Sequence, residues 1–213
     1  MAEQRALRAE ILATARQMNT CGLNRGKSGN VSARFKDGFL ITPSGVAYTA
    51  TRARDIVAMT LEGDARGALR PSSEWPFHRA IYATRPGVAA VVHAHASFAT
   101  TLACLGRDIP AFHYMVAVAG GNDIRCAPYA TFGTEKLVQY ALAALKGRKA
   151  CLLANHGLIA LGSSLDDALA LAVEVEALCE QYWRALQIGT PKLLSGAEME
   201  RVLAKFATYG QQH

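Results

Sequence analysis

The stretch from Gly87 to Gly106 contains no Asp, Glu, Lys or Arg and is long enough to span a bilayer. Such a stretch has to be buried, and its interior says how. His93 and His95 lie near its middle and a run of small and polar residues follows them. That pattern fits a buried strand over Val88–His95 and then a short helix, not a membrane span. The remainder of the chain must cover that strand. No internal repeat, low-complexity block or Pro/Gly-rich linker divides the 213 residues, so a single compact domain over residues 1–213 is expected.

Periodicity places the other elements. Leu7, Ile11, Ala15 and Met18 recur at helical spacing before a stop at Gly22. Asn30–Phe35 alternates as a strand, Asp37-Gly38 marks a hairpin, and Phe39–Thr42 returns. Further strands are expected at Ile56–Leu61, Tyr114–Val118, Cys151–Ala154 and Leu158–Leu161. Helices are expected from Ser72 to Thr84, with Pro76 in the first turn, and from Gly133 to Lys146. A long helix should run from Ser163-Ser164 to Gly189, and a last one should start at Ser195, which has capping-box spacing to Glu198. The hairpin signals favour an α/β fold with a mostly antiparallel sheet flanked by helices over a doubly wound parallel sheet.

The chain is 51% hydrophobic and 19% charged, which suits a globular domain and leans toward surface buried in an oligomer. Its net charge of +6 arises from 23 basic and 17 acidic residues scattered along the chain. No basic run is long enough to grip nucleic acid. The excess either draws anionic small molecules or is plain solvated surface. Five cysteines, an odd number with no C-x-x-C pair, suit free thiols in a reducing cytoplasm. Glu3 and Glu10 interrupt the N-terminal apolar residues, so neither a signal peptide nor membrane attachment is expected.

Two residues apart on a strand, His93 and His95 project from one face with Cβ atoms roughly 6–7 Å apart. Imidazoles at that spacing can converge on one ion at about 2.0–2.1 Å, although one His-x-His alone also fits two core histidines. His156, in Ala154-Asn155-His156-Gly157, follows another apolar strand and is the third candidate. Three imidazoles and an open position make the donor set of a catalytic zinc, and manganese or cobalt could substitute. His78, His113 and His213 are read as packing or surface residues. Glu74 lies in Pro71-Ser72-Ser73-Glu74-Trp75, where it either compensates a helix dipole or, near a metal, serves as an acid/base. Lys27-Ser28-Gly29-Asn30, Thr42-Pro43-Ser44-Gly45 and Ser72-Ser73 each have the glycines or hydroxyls of a phosphate cradle, and each also fits an ordinary turn. Gly22-Leu23-Asn24-Arg25-Gly26-Lys27-Ser28 mimics a Walker A loop. It has one residue too few between its glycines, and it lies between helix and strand in the wrong order.

Taken in order, Gly29-Asn30-Val31-Ser32, Ile41-Thr42-Pro43-Ser44-Gly45, Pro71–Trp75, Val91–His95, Ile109–Met115, Ala127–Gly133, Asn155–Leu158 and Phe206–Gly210 span nearly the whole chain. Together they resemble the class II aldolase/adducin family, in particular its L-fuculose-phosphate aldolases. The resemblance implies a nine-stranded mixed sheet between helix layers, assembled as a fourfold homotetramer with active sites between subunits. It implies zinc on His93, His95 and His156, with Glu74 at the metal as acid/base. Asn30, Ser44, Gly45, Ser72 and Ser73 fall where the family binds substrate phosphate. Lys27, beside Ser28, stands where those aldolases carry a small hydroxyl residue. Tyr114 matches a proton donor supplied by a neighbouring subunit, and Phe132, Phe206 and Tyr209 match the aldehyde pocket. The implied reaction is retro-aldol cleavage of a ketose 1-phosphate (L-fuculose, 5-deoxyribulose or 5-methylthioribulose 1-phosphate) to dihydroxyacetone phosphate and an aldehyde. Same-family alternatives are methylthioribulose-1-phosphate dehydratase and the pentulose-phosphate 4-epimerases, which usually carry Asp where Glu74 stands. A non-catalytic adducin-like module is the remote one, since that branch has lost metal ligands.

Overall fold

Charge-free strands belong where both faces of a sheet are covered, and the computed structural model, which describes residues 2–207, puts this one near the centre of its sheet. The strands are β1 (Asn30–Phe35), β2 (Gly38–Ile41), β3 (Val57–Thr60), β4 (Ala65–Arg66), β5 (Ala90–Ala94), β6 (Cys126–Ala127), β7 (Ala150–Leu153) and β8 (Gly157–Gly162). They form one sheet in the order β4-β3-β2-β1-β5-β8-β7-β6. Every pairing is antiparallel except β6 with β7. The expected mixed, mostly antiparallel sheet is therefore present, with eight strands among the described residues where nine were expected.

The helices are α1 (Ala2–Thr20), α2 (Trp75–Thr84), α3 (Ser97–Cys104), α4 (Glu135–Ala144), α5 (Leu165–Ile188) and α6 (Gly196–Phe206). Strand alternation sends Val31, Ala33, Val92, Ala94, Leu158 and Ala160 into a core shared with α1, α3 and α5. The opposite side chains, Val91, Ile159 and Leu161 among them, pack with Phe77, Ile81 and Tyr82 of α2 and with Leu137, Val138 and Ala141 of α4. The parity assigns His93 to the α2 face, where its ring meets Phe77 edge-on at 5.5 Å. The capping signals hold: Ser164 accepts from Asp167 N, and Ser195 from Glu198 N. No described helix is long and apolar enough to cross a membrane.

One element differs from expectation. Tyr114–Ala119 forms a 3-10 helix, not a strand. The alternating Val116 and Val118 suggest a period of two, but His113 caps the segment by accepting from Met115 N, and Gly120 ends it in the left-handed conformation. Side-chain capping and a glycine stop thus overrode β-propensity. β4 and β6, two residues each, carry too little pattern to be expected at all.

Candidate metal centre

Three separate elements deliver the donors. His93 lies in β5 and His95 immediately beyond it, His156 sits in the turn between β7 and β8, and Glu74 is the residue that precedes α2. The sheet order makes this convergence possible, because β8 pairs with β5 and sets His93 opposite Ile159. Ligand atoms of Glu74, His93, His95 and His156 all lie within 4.8 Å of one another. Glu74 does not cap its helix; its carboxylate turns to the imidazoles instead.

The fit of this set to a cation can be tested on its own hydrogen bonds. His93 Nδ1 lies 2.8 Å from the Leu158 carbonyl, which can only accept. Nδ1 therefore carries the proton, and in the neutral ring Nε2 presents a lone pair. That Nε2 faces His95 Nε2 at 3.0 Å and Glu74 Oε2 at 3.1 Å. His156 Nε2 lies 2.9 Å from Glu74 Oε1 without the alignment of a hydrogen bond, so Oε1 is buried and unsatisfied. Lone pairs and a carboxylate repel one another unless a positive charge lies among them. Donors about 2.0–2.1 Å from one ion sit about 3.3 Å apart in a tetrahedron, which matches this crowding. The residues fit a divalent metal.

The electrostatics carry the same signature. Burial raises the pKa of Glu74, but the charge on His93 and the contacts with His156 and His93 overcome this and hold the carboxyl well below its usual range. Burial lowers His93, yet the adjacent Glu74 charge wins and its pKa is raised. His95 is pushed down to about 4 by burial and by the positive charges of His93 and His156.

The three phosphate-cradle segments are brought together by Thr42. Its N–H donates to Val31 O, its Oγ1 accepts from Val31 N, and its carbonyl accepts from Ser72 N. Ser44 N donates to Arg70 O, tying the second segment to the third, and Tyr48 Oη donates to Gly29 O at 2.7 Å. Lys27, Ser44, Gly45 and Ser73 are exposed, Ser28 is half-buried and Ser72 is buried. The Asn30 side chain is not free: its amide bonds Glu74 at one end and His78 at the other. Tyr114 is 50% exposed, and its ring lies near His113 and Phe206. Phe132 is exposed, next to Gly133, which adjoins the Ser73 carbonyl. Tyr209 lies outside the described residues. Trp75 packs against Gly63 and Arg79.

Sequence reasoning missed three supports. Buried Asn24 accepts from His95 N at 2.8 Å while donating to Ser28 O, which couples the first cradle segment to the metal strand. Glu176 of α5 accepts from Phe98 N and Ala99 N and so caps α3, the helix that follows His95. His78 is buried and stacked on Phe77, as a packing residue would be, and it is also part of a buried polar chain. Gly29 has φ +71°, and a side chain there would strike Asn24 Nδ2 and the His93 carbonyl. Gly29→Ala is accordingly expected to cost about 1–3 kcal/mol through backbone strain, before any clash. A lowered urea midpoint would show this, and an unchanged one would refute the strain.

The chain is similar to known aldolases along nearly its whole length. The family model described as Class II Aldolase and Adducin N-terminal domain matches residues 9–183. A 5-methylthioribulose-1-phosphate/5-deoxyribulose-1-phosphate aldolase of Rhodospirillum rubrum is 62% identical over 205 residues, covering 96% of this chain and 93% of that protein. The L-fuculose phosphate aldolase of Escherichia coli K12 is 49% identical over 209 residues, covering 98% and 97%. A solved L-fuculose 1-phosphate aldolase superposes with a TM-score of 0.92 at 40% identity, covering 95% of this chain and 96% of that one. On these matches the chain belongs to the class II aldolase/adducin family and is a lyase of its aldolase branch.

Proposed function

We propose that this chain cleaves 5-methylthioribulose 1-phosphate or 5-deoxyribulose 1-phosphate to dihydroxyacetone phosphate and an aldehyde, using zinc. The observation that carries the reading is the convergence of three imidazole nitrogens on a buried carboxylate whose Oε1 has no hydrogen bond. The substrate preference rests on the 62% identical relative; the fuculose-phosphate aldolases, at 49%, support L-fuculose 1-phosphate as the second candidate. His93, His95 and His156 would hold the ion with Glu74 beside them. When bound, it supplies Lewis acidity to the ketose carbonyl and its neighbouring hydroxyl, with manganese or cobalt able to substitute.

The chain's own groups do the remainder. Ser28, Ser44, Gly45, Ser72 and Ser73 offer N–H groups and hydroxyls to the phosphate, and Lys27 stands at the rim as a cation. Glu74 exchanges a proton with the substrate carbon that loses its bond, through Oε1. Tyr114 of an adjacent subunit exchanges one with the oxygen that becomes the aldehyde, while Phe132, Phe206 and Tyr209 shield that end. This role requires an oligomer with sites between subunits, proposed as a homotetramer, and half-exposed Tyr114 suits it. The reading keeps residues 1–213 as one domain, acting in the cytoplasm.

Metal-loaded protein given the three ketose 1-phosphates should release dihydroxyacetone phosphate, fastest from the two 5-deoxypentulose phosphates, and a chelator should stop it. Substrate consumed without that product would mean epimerisation or dehydration. Glu74→Gln and Tyr114→Phe should each be inactive alone and regain activity after subunit exchange. No regain would place both groups within one subunit.

A further inference from the structure

Behind the metal centre runs a buried line of five polar residues. Asn30 Nδ2 is 2.9 Å from Glu74 Oε2, and Asn30 Oδ1 is 2.5 Å from His78 Nε2. His78 Nδ1 is 2.7 Å from Ser32 Oγ, which is 2.8 Å from Tyr82 Oη. All five side chains are buried, His78 and Ser32 completely. A carboxylate only accepts, so Asn30 must turn its NH₂ to Glu74 and its oxygen to His78. Nε2 of His78 must then carry the hydrogen. In a neutral ring Nδ1 is left as an acceptor, Ser32 spends its single hydrogen on it, and Tyr82 must donate to Ser32. One direction therefore runs through every link, from Tyr82 to Glu74. Burial, which pushes His78 down to about 3 and raises Tyr82, favours the neutral ring and the protonated phenol that this order needs.

A polar core costs stability unless every group is paired, and here every group is paired along one line that ends on the metal-site carboxylate. We propose that His78, locked as its Nε2–H tautomer by Ser32 and Tyr82, is a positioning residue. It fixes the Asn30 amide so that Glu74 Oε2 is held and Oε1 alone is left for chemistry. The proposal rests on Glu74 being the acid/base of the lyase. An Asn30 amide released to flip would set its oxygen against the carboxylate, or leave Oε2 free to rotate into the working position.

The first test needs no variant. In protein with ¹⁵N-labelled histidine, His78 is expected as the neutral Nε2–H tautomer at neutral pH; the Nδ1–H tautomer or an imidazolium overturns the proposal. Because this readout involves no substrate, it decides the chain even if the aldolase reading fails. The second compares variants in metal-loaded enzyme. His78→Leu, with no donor for Asn30, should lower kcat about 10–100-fold, the scale of lost outer-shell partners of metal sites. KM should stay within about twofold, because the loss falls on the reacting state. His78→Gln, which keeps an N–H for Asn30, should recover most of that loss. Equal impairment of the two variants, or a loss confined to KM, would reduce His78 to packing. If neither variant folds, the tautomer stands as the deciding result.

Discussion

Glu74→Gln is expected to lower kcat by about 10²–10⁴-fold, the usual contribution of a positioned acid/base, while KM and bound metal stay close to wild type. Glutamine has the shape of glutamate, so its oxygen can still accept from Asn30 Nδ2, the bond that fixes Oε2 at 2.9 Å. The NH₂ group then takes the place of Oε1, a buried oxygen with no hydrogen bond. It cannot accept a proton, and it cannot return one at neutral pH. The three histidine nitrogens are untouched, and His93 keeps its tautomer through Leu158, so metal content measured by elemental analysis should hold. An unchanged kcat would move proton exchange to another group. Lost metal would show that Glu74 is needed as a ligand first.

How much of this is written in the sequence depends on how local the signal is. The charge-free run at Val88–His95 reads as a buried strand, and the structure supplies one at β5. His93 and His95 read as a pair because two residues on a strand share a face. Their meeting with His156 rests on the β5–β8 pairing, a long-range fact with no local mark. The 3-10 helix at Tyr114–Ala119 misleads for the opposite reason: its alternating valines look local, while a side-chain cap and a left-handed glycine decide it. The polar chain behind Glu74 was legible in part. Glu74, His78 and Tyr82 recur at four-residue spacing, hence on one helix face, and Asn30 and Ser32 recur at two, hence on one strand face. Read singly, His78 gives only its packing, which the stack on Phe77 supplies; the registry adds its polar partners. What no spacing reveals is that the α2 face lies against the β1 face, because that depends on the packing of the layers.

Stripping the metal from a loaded sample should cost the fold about 4 kcal/mol when the free ion had been held near a thousand times its Kd. For a domain of this size that is roughly 8–16 °C in Tm. The stabilisation arises because the four donors are gathered only in the folded chain, so the ion binds the native state and not the unfolded one. His156→Ala should erase most of the metal-dependent shift, since it removes one of three imidazoles and leaves Glu74 Oε1 facing empty space. The binding should also release protons, and the direction follows from the site. The Glu74 charge raises the pKa of His93, so wherever that ring is protonated the ion must displace the proton to bind. His95, lowered to about 4, already offers its lone pair and contributes none. Affinity therefore weakens as pH falls through the range where His93 is protonated, by up to about tenfold per unit for one displaced proton. Calorimetry in two buffers of different ionisation enthalpy measures that proton directly. Release of a proton together with a metal-dependent Tm would make the cluster a metal centre. If neither appeared, the crowded imidazoles would need another source of positive charge, and a proton shared between His93 and Glu74 is the one the geometry offers.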